Sequence, residues 1–516
     1  MSYNFARFRP PAPPMSFSAA ALYTAAQTRE LDRRAIDEHG IPGIALMKHA
    51  GASAFRELCR RWPEARSITV FCGSGNNGGD GYIIAALARE RGLASRVIHL
   101  AEPALLKGDA ALAWRFATQA GVPMESFSAD NALTADVLVD ALLGTGIARP
   151  VTGAYAAAIA AINGAGIPVL AVDIPSGLHA DTGAELGIAV RAQVTVTFIG
   201  RKLGLHTGRG PALAGTLVLD RLDVPDAVYR DDPAAELLNL AQLLQTLPPR
   251  ARDAHKGNFG HVMVIGGDRG FGGAALMAAE ATARAGAGLV SVATRPEHAA
   301  AFLARRPELM VKGVPSGQEL EPLLSGPTVL VVGPGLGRSP WSEQMLQQAF
   351  NAGLPMVLDA DALNLLAAGR LGRDADGSRW VLTPHPGEAA RLLDLDNASV
   401  QADRPNACRR LQEKFGGAVL LKGAGTLVAG PGEPLAVCPH GNPGMASGGM
   451  GDVLAGVIGA LLAQGLEPTA AARLGACVHG RAADIAAQRS GERGLLATDL
   501  PDLIRELLNG RHAVPD

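Results

Sequence analysis

The chain has 516 residues, 48 % hydrophobic and 19 % charged, too long for one ordinary core and too apolar for a disordered chain. Basic and acidic side chains nearly cancel, 47 against 49 for a formal net charge of −2, which leaves no global positive field for nucleic acid or an acidic membrane surface. Cys59, Cys72, Cys408, Cys438 and Cys477 are odd in number and never spaced C-x-x-C, which argues against a disulfide framework or zinc ribbon and suits a reducing cytoplasm.

Residues 1–20 lack the apolar stretch of a signal peptide and hold several prolines, so a flexible lead-in is expected. Short Val-, Ile- and Leu-rich runs then alternate with Ala-rich helical stretches, the pattern of βαβ units around a parallel sheet. Strands are expected at Ser67–Cys72, Arg96–Leu100, Val137–Asp140, Pro168–Asp173 and Val194–Ile199. The pattern loosens near Asp223–Arg250. This places one domain at 21–225, a linker at 226–249 and a second domain at 250–512. The second series begins with HVMVIGG at His261 and continues through LVSVAT, VLVVGPGLG, PMVLDADAL, WVLTPH and AVLLKGAGT. Val453–Ala463, the longest apolar helix candidate, is too short to span a bilayer. No membrane or nucleic-acid partner is expected.

In the first half, FCGSGNNGGDG joins a strand to a helix, and Gly73, Gly75 and Gly78 satisfy G-x-G-x-x-G. A dinucleotide fold of the ordinary kind wants an acid about twenty positions on, and Glu102 comes late for that. Asn76, Asn77 and Asp80 add hard oxygen donors that a plain phosphate cradle does not need. Asp140 and Asp173 each end another strand. In an open parallel sheet those ends share one edge, so Asn77, Asp140, Asp173 and Ser176 can converge.

GSGNNGGDG, VDALLGTG and VDIPSG, in this order, resemble the signature of the NAD(P)H-hydrate epimerase domain over roughly residues 20–225. The resemblance implies a hydrate site lined by Asn76, Asn77, Gly78, Gly79, Asp80, Gly144, Thr145, Gly146, Ile147, Ala148, Arg149, Pro150 and Asp173. It also implies a K⁺ ion on Asn77, Asp140 and Ser176, all hard oxygen donors. A carboxylate would serve as general acid or base at the hydroxylated carbon beside the ring nitrogen. Asp173 is the first candidate, with Asp80 the alternative.

The second half has no Walker motif. SGGMGD opens a helix instead, and Gly448, Gly449 and Gly451 free the backbone to wrap phosphate oxygens. Asp452 is expected to be kept ionised by the helix dipole. LKGAGT, GPGLG and TPHPGE are further turns at strand ends, the first with one of only seven lysines. His385 stands between two prolines.

These motifs, with HKGNFG and GGAALMAAEATARAGAGLV, resemble the ADP/ATP-dependent NAD(P)H-hydrate dehydratases of the ribokinase-like fold over about residues 250–510. The resemblance implies hydrate contacts at Ala274, Gly335, His385 and Asp452. It puts adenine nucleotide on Lys422, Gly423, Ala424, Gly425, Thr426 and Gly451, and Glu388 near magnesium and phosphate. The fold expected is thus α/β in two three-layer domains, Rossmann-like and then ribokinase-like. The expected function is repair of NADHX and NADPHX by epimerisation and dehydration. ADP is preferred over ATP as co-substrate, with Mg²⁺, and the assembly expected is a homo-oligomer. A vitamin-precursor kinase joined to a non-catalytic ligand-binding module is the rival reading.

Overall fold

The computed structural model describes residues 17–128, 133–369 and 377–511. Residues 1–16 of the expected lead-in, 129–132 of the expected first domain, and 370–376 and 512 of the expected second lie outside them. The chain divides into two compact units, one of residues 1–205 and 209–234, the other of residues 206–208 and 235–516.

In the first unit a strand pair, β1 (Ala21–Tyr23) with a later short strand, accompanies a seven-stranded sheet. The sheet comprises β2 (Ser67–Cys72), β3 (Ala94–His99), β4 (Met124–Ser126), β5 (Val137–Ala141), β6 (Val169–Val172), β7 (Val194–Phe198) and, after the short β8 (Arg201–Lys202), β9 (Thr216–Asp220). Its order is β4-β3-β2-β5-β6-β7-β9, parallel throughout. β8 is the partner of β1.

Alternation along each strand makes the layers, because successive side chains point to opposite faces. Val70, Cys72, Val139 and Ala141 join one core with the helices Gly43–Arg61, Asn76–Glu90 and Gly108–Gln119. Phe71 and Leu138 join another with Gly153–Gly164. Both faces are covered, which is why β5, β6 and β7 are buried at every position rather than at every second one.

The second unit carries β10 (Ala235–Leu237), β11 (His261–Ile265), β12 (Leu289–Thr294), β13 (Met310–Gly313), β14 (Val329–Val332), β15 (Met356–Leu358), β16 (Trp380–Leu382), β17 (Ala418–Leu421), β18 (Thr426–Ala429) and β19 (Leu435–Cys438). They lie in the order β13-β12-β11-β14-β15-β16-β17-β18-β19-β10. Pairing is parallel from β13 to β17, antiparallel across β17–β18–β19, and parallel again at β10. Helices Gly272–Arg284, Met450–Ala463 and Pro468–Ser490 share its main core. The glycines of the apolar helix are packing devices: a Cβ on Gly456 would fall 2.1 Å from the Ala278 carbonyl oxygen.

The expected linker at 226–249 is not one. Val228 and Tyr229 are buried in the first unit's core, and the Tyr229 hydroxyl donates to the Ile199 carbonyl at 2.9 Å. Ala235–Leu237 form β10 on β19, followed by the helix Leu240–Leu244. Three-residue strands and one-turn helices are too short to show periodicity, so the stretch looks irregular as sequence. β4 and β9 escape the sequence reading too; three residues or one partly exposed run give little signal. Among the described residues no helix is long and apolar enough to cross a membrane.

Candidate active sites

In the first unit, the carboxyl ends of β2, β5, β6 and β7 share one edge because all four strands are parallel. Gly73 lets two exit loops touch there: a Cβ on it would lie 1.8 Å from the Leu142 carbonyl oxygen. Gly144 then stands against Asn77, its would-be Cβ 3.4 Å from that side chain. The Asn77 amide is buried, and neither its oxygen nor its nitrogen has a hydrogen-bond partner.

Asp140 is fully buried at the end of β5. Ser176 donates its backbone N–H to Oδ2 at 2.8 Å and its hydroxyl to Oδ1 at 2.6 Å. Leu142 N–H adds a bond at 3.2 Å, and Leu143 N–H donates to Ser176 Oγ at 2.8 Å. Burial pushes the Asp140 carboxyl up to about 6, against the pull of these bonds. Asp140 and Ser176 are thus in contact, and Asn77 faces the same loop one residue further on.

A cavity of about 430 Å³ opens beside this cluster. Of the residues proposed for the hydrate site, Asn76, Asn77, Asp80, Gly144, Thr145, Gly146, Ile147 and Asp173 line it. Gly78 and Gly79 do not; they sit inside the helix, where a Cβ would strike Gly73 at 2.2 Å or Met47 at 2.6 Å. Ala148, Arg149 and Pro150 are also absent from the lining. Among the lining residues that the sequence did not flag are Asp32 and Lys202. Lys202 is buried and ion-paired with Asp173, which adopts a left-handed φ of 65°. An aspartate tolerates that conformation better than most residues, and such outliers cluster at functional sites.

In the second unit, five neighbouring parallel strands each deliver a group to one edge. β11 leads through Gly266-Gly267 to the helix bearing Ala274, and β14 to Gly335. These two meet: at φ 58°, a Cβ on Gly335 would lie 3.0 Å from the Ala274 Cβ. β15 ends at Asp359, β16 at Thr383–His385, and β17 at Lys422. Lys422 Nζ donates to Asp359 Oδ1 at 2.7 Å, where Thr383 Oγ1 also donates at 2.8 Å. Glu388 Oε2 lies 4.0 Å from the same ammonium. Burial would lower the Lys422 pKa, but Asp359, Glu388 and Asp452 together raise it.

Gly451 brings the glycine-rich turn onto this cluster; a Cβ there would lie 3.2 Å from Lys422 Nζ and 3.3 Å from Asp359 Oδ2. Asp452 follows in the first turn of Met450–Ala463. The expectation that the helix dipole keeps it ionised needs correction. Burial first, and then the Asp359 charge, push its carboxyl up to about 7, with Lys422 opposing. Desolvation and a like charge outweigh the dipole here.

His385 caps the helix Pro386–Leu393: its Nδ1 accepts from Gly387 N–H at 3.0 Å and Glu388 N–H at 3.3 Å. Its backbone N–H donates to Glu388 Oε2 at 2.8 Å. The turn Gly423, Ala424, Gly425, Thr426 sits on a buried Arg404, whose guanidinium donates to the Lys422 carbonyl at 3.2 Å. Gly423 takes a φ of 138°, where a Cβ would lie 2.9 Å from that guanidinium. Asp359 and Arg404 were not singled out from sequence.

Residues 262–506 match the family described as NAD(P)H-hydrate dehydratase, and residues 43–204 the family described as YjeF-related protein N-terminus. A solved ribokinase-like superfamily protein from Enterococcus faecalis is 31 % identical, with a TM-score of 0.49, over 53 % of this chain and 95 % of that one. A bifunctional NAD(P)H-hydrate repair enzyme from Escherichia coli is 43 % identical over 96 % of this chain and 95 % of its own. One from Coxiella burnetii is 50 % identical over 95 % of this chain and 99 % of its own. Likeness over both halves sets aside the vitamin-precursor kinase with a passive appendage. With half of the aligned positions identical and both sites built on one chain, this protein belongs to the family of bifunctional NAD(P)H-hydrate repair enzymes.

Proposed function

We propose that the first unit interconverts the R- and S-hydrates of NADH and NADPH, and that the second dehydrates the S-hydrate at the expense of ADP, yielding AMP and phosphate. ATP is the alternative co-substrate. The observation that carries this reading is the pairing of sites. One is a carboxylate-lined cavity suited to proton transfer, and the other a glycine-rich helix start beside a carboxyl held near neutrality.

In the second unit, Asp452 is the base that takes the proton of the attacking hydroxyl, since a carboxyl pushed up to about 7 is matched to neutral pH. Transfer of phosphate to that hydroxyl converts a poor leaving group into a good one, after which elimination restores the dihydronicotinamide. Backbone N–H groups at Gly448–Gly451 and the Lys422 ammonium balance the phosphate charge. Ala274, Gly335 and His385 orient the hydrate; Lys422, Gly423, Ala424, Gly425, Thr426 and Gly451 hold the nucleotide. Mg²⁺ would arrive with the nucleotide and neutralise its phosphates, with Glu388 near it. Among the described residues there is no three-ligand protein cage, which suits an ion held largely by phosphate and water.

In the first unit, Asn77, Asp140 and Ser176 would hold K⁺. Their fit rests on the orphaned Asn77 amide and on Asp140, a buried carboxylate with no cationic partner among the described residues. The ion would supply a fixed positive charge to the loops that shape the cavity. Asn76, Asp80, Gly144–Ile147 and Asp173 bind the hydrate.

The deciding experiment incubates the chain with mixed NADH hydrates, with and without ADP and Mg²⁺, and follows absorbance of NADH. Full recovery only with nucleotide is expected. Recovery without it, or accumulation of a stable phosphorylated product, would refute the scheme.

A further inference from the structure

Four carboxylates (Asp32, Asp80, Asp109 and Asp173) and one ammonium share the first unit's cavity, and the distribution of bonds among them is unequal. Lys202 has three protons to give, and Asp173 Oδ1, Thr197 Oγ1 at 3.0 Å and the Phe198 carbonyl at 3.0 Å take all three. Phe198 N–H adds a bond to Asp173 Oδ1 at 3.3 Å. Asp173 is therefore anchored through one oxygen, and Lys202 has nothing left for a ligand. Asp32, from the helix Ala25–Arg33, and Asp80, from Asn76–Glu90, line the same cavity without an ion-pair partner among the described residues.

Resting on the assignment of epimerisation to this unit, we propose that Asp32 is a second proton-transfer carboxyl, working as a pair with Asp80, while Lys202 is a positioning residue that holds Asp173 as an anchored anion.

The charges support a division of labour. Burial, then Asp173 and Asp32, push the Asp80 carboxyl well above the usual range. Burial pushes Asp32 up to about 6, with Lys202 lowering it and Asp173 raising it. The remaining ionisable groups nearby are Arg29 and Asp109 in the cavity wall and the buried Cys72 thiol, itself pushed up by burial and Asp80. Burial and like charge thus bias Asp80 toward its protonated, proton-giving form. Two carboxyls that face one cavity without ion-pair partners, in different electrostatic surroundings, can serve as an acid and a base.

The chemistry balances. Asp80 gives its proton to the ring hydroxyl, the C–O bond breaks, and the neighbouring ring nitrogen forms C=N with its lone pair as water leaves. Water adds to the opposite face, a new C–O bond forms, the C=N pair returns to nitrogen, and Asp32 takes the released proton. The reverse direction exchanges the roles, and solvent water resets the proton.

The test uses the full chain and hydrate of one configuration, with formation of the other epimer resolved by chromatography. Asp32→Ala should lose roughly 10²–10⁴-fold in epimerisation, the usual span of general acid–base catalysis, with dehydration of the S-hydrate unchanged. Added formate, which fits the cavity and restores a carboxylate, should recover part of the loss, as should Asp32→Glu. Lys202→Met should raise KM for the hydrate more than it lowers kcat, with partial recovery in Lys202→Arg. Asp32→Ala within twofold of wild type, or a loss that neither formate nor Asp32→Glu relieves, would overturn the proposal. A wild-type chain that dehydrates but does not epimerise would overturn the reading of the unit as well, and so separates the two failures.

Discussion

Lys202 in the first unit and Lys422 in the second come from a set of only seven lysines, and each meets an aspartate at the end of a parallel strand, Asp173 and Asp359. Their surroundings diverge. Lys202 has a side chain only 1 % exposed and spends every proton on protein acceptors. Lys422 is 21 % exposed and donates one hydrogen bond among the described residues, to Asp359, with Glu388 4.0 Å away. A saturated ammonium fixes a charge pattern for proton transfer. An unsaturated one beside glycine backbone can still meet an incoming phosphate. The same pair of residue types therefore serves two chemistries, and what distinguishes them is the number of protons left over.

The strongest way to break the comparison is Asp452→Asn. It keeps shape and removes the proton acceptor. Dehydration should fall roughly 10²–10⁴-fold, or about 3–5 kcal/mol of barrier, with nucleotide affinity and epimerisation little changed. Near-normal dehydration would leave Asp452 a structural residue. Because the base must be deprotonated and its carboxyl stands at about 7, wild-type dehydration should rise with pH through neutrality and then level off.

Gly73→Ala asks how much of the first site depends on backbone contact. A Cβ 1.8 Å from the Leu142 carbonyl must displace the loop, at a cost of about 3 kcal/mol to that unit's stability. Thermal unfolding should show one early transition with dehydration preserved; unchanged melting would contradict the close approach.

Potassium sharpens the contrast from the ligand side. At about a hundred times its Kd, K⁺ should stabilise the wild-type first unit by about 2.7 kcal/mol against an organic cation at equal ionic strength. Asp140→Ala should abolish that shift and depress epimerisation alone. The smallest effect is expected for His385→Ala, which loses a helix cap worth about 1 kcal/mol and raises KM for the hydrate without touching nucleotide binding.

The first unit's glycine turn, Asp140, Asp173 and Ser176 were legible because they follow apolar runs, and parallel sheets gather such positions at one edge, whereas Asp452 was legible from the glycine run that opens its helix. Asp32 was not legible. It stands in RELDRRAIDE, a run that looks like a solvated helix face until the fold turns one acid inward. Lys202, in FIGRKLG, resembles an ordinary surface basic pair, though a rare lysine within two residues of a glycine, as at Lys422, is a usable signal. Asp359 was hidden inside an expected strand end, where capping of the next helix explains an acid equally well. The Asp452 pKa could not be read from sequence at all, since it depends on burial and on Asp359, 93 positions away in the chain.

The short β10 has a practical side. Ala235–Leu237 pair along the outer side of β19, and Leu238 N–H extends that pairing to the Val437 carbonyl at 2.9 Å. A half-enzyme begun at Leu247, a natural choice from sequence, would strip this cover. It would leave Leu435–Cys438, four buried apolar residues, as a bare sheet edge with unpaired N–H and C=O groups. Such an edge recruits strands from neighbouring molecules, so that fragment should self-associate in light scattering more strongly than one begun at Ala235, which keeps the pairing on β19. Three residues of apparent linker thus set how far the excised dehydratase is shielded from association along β19.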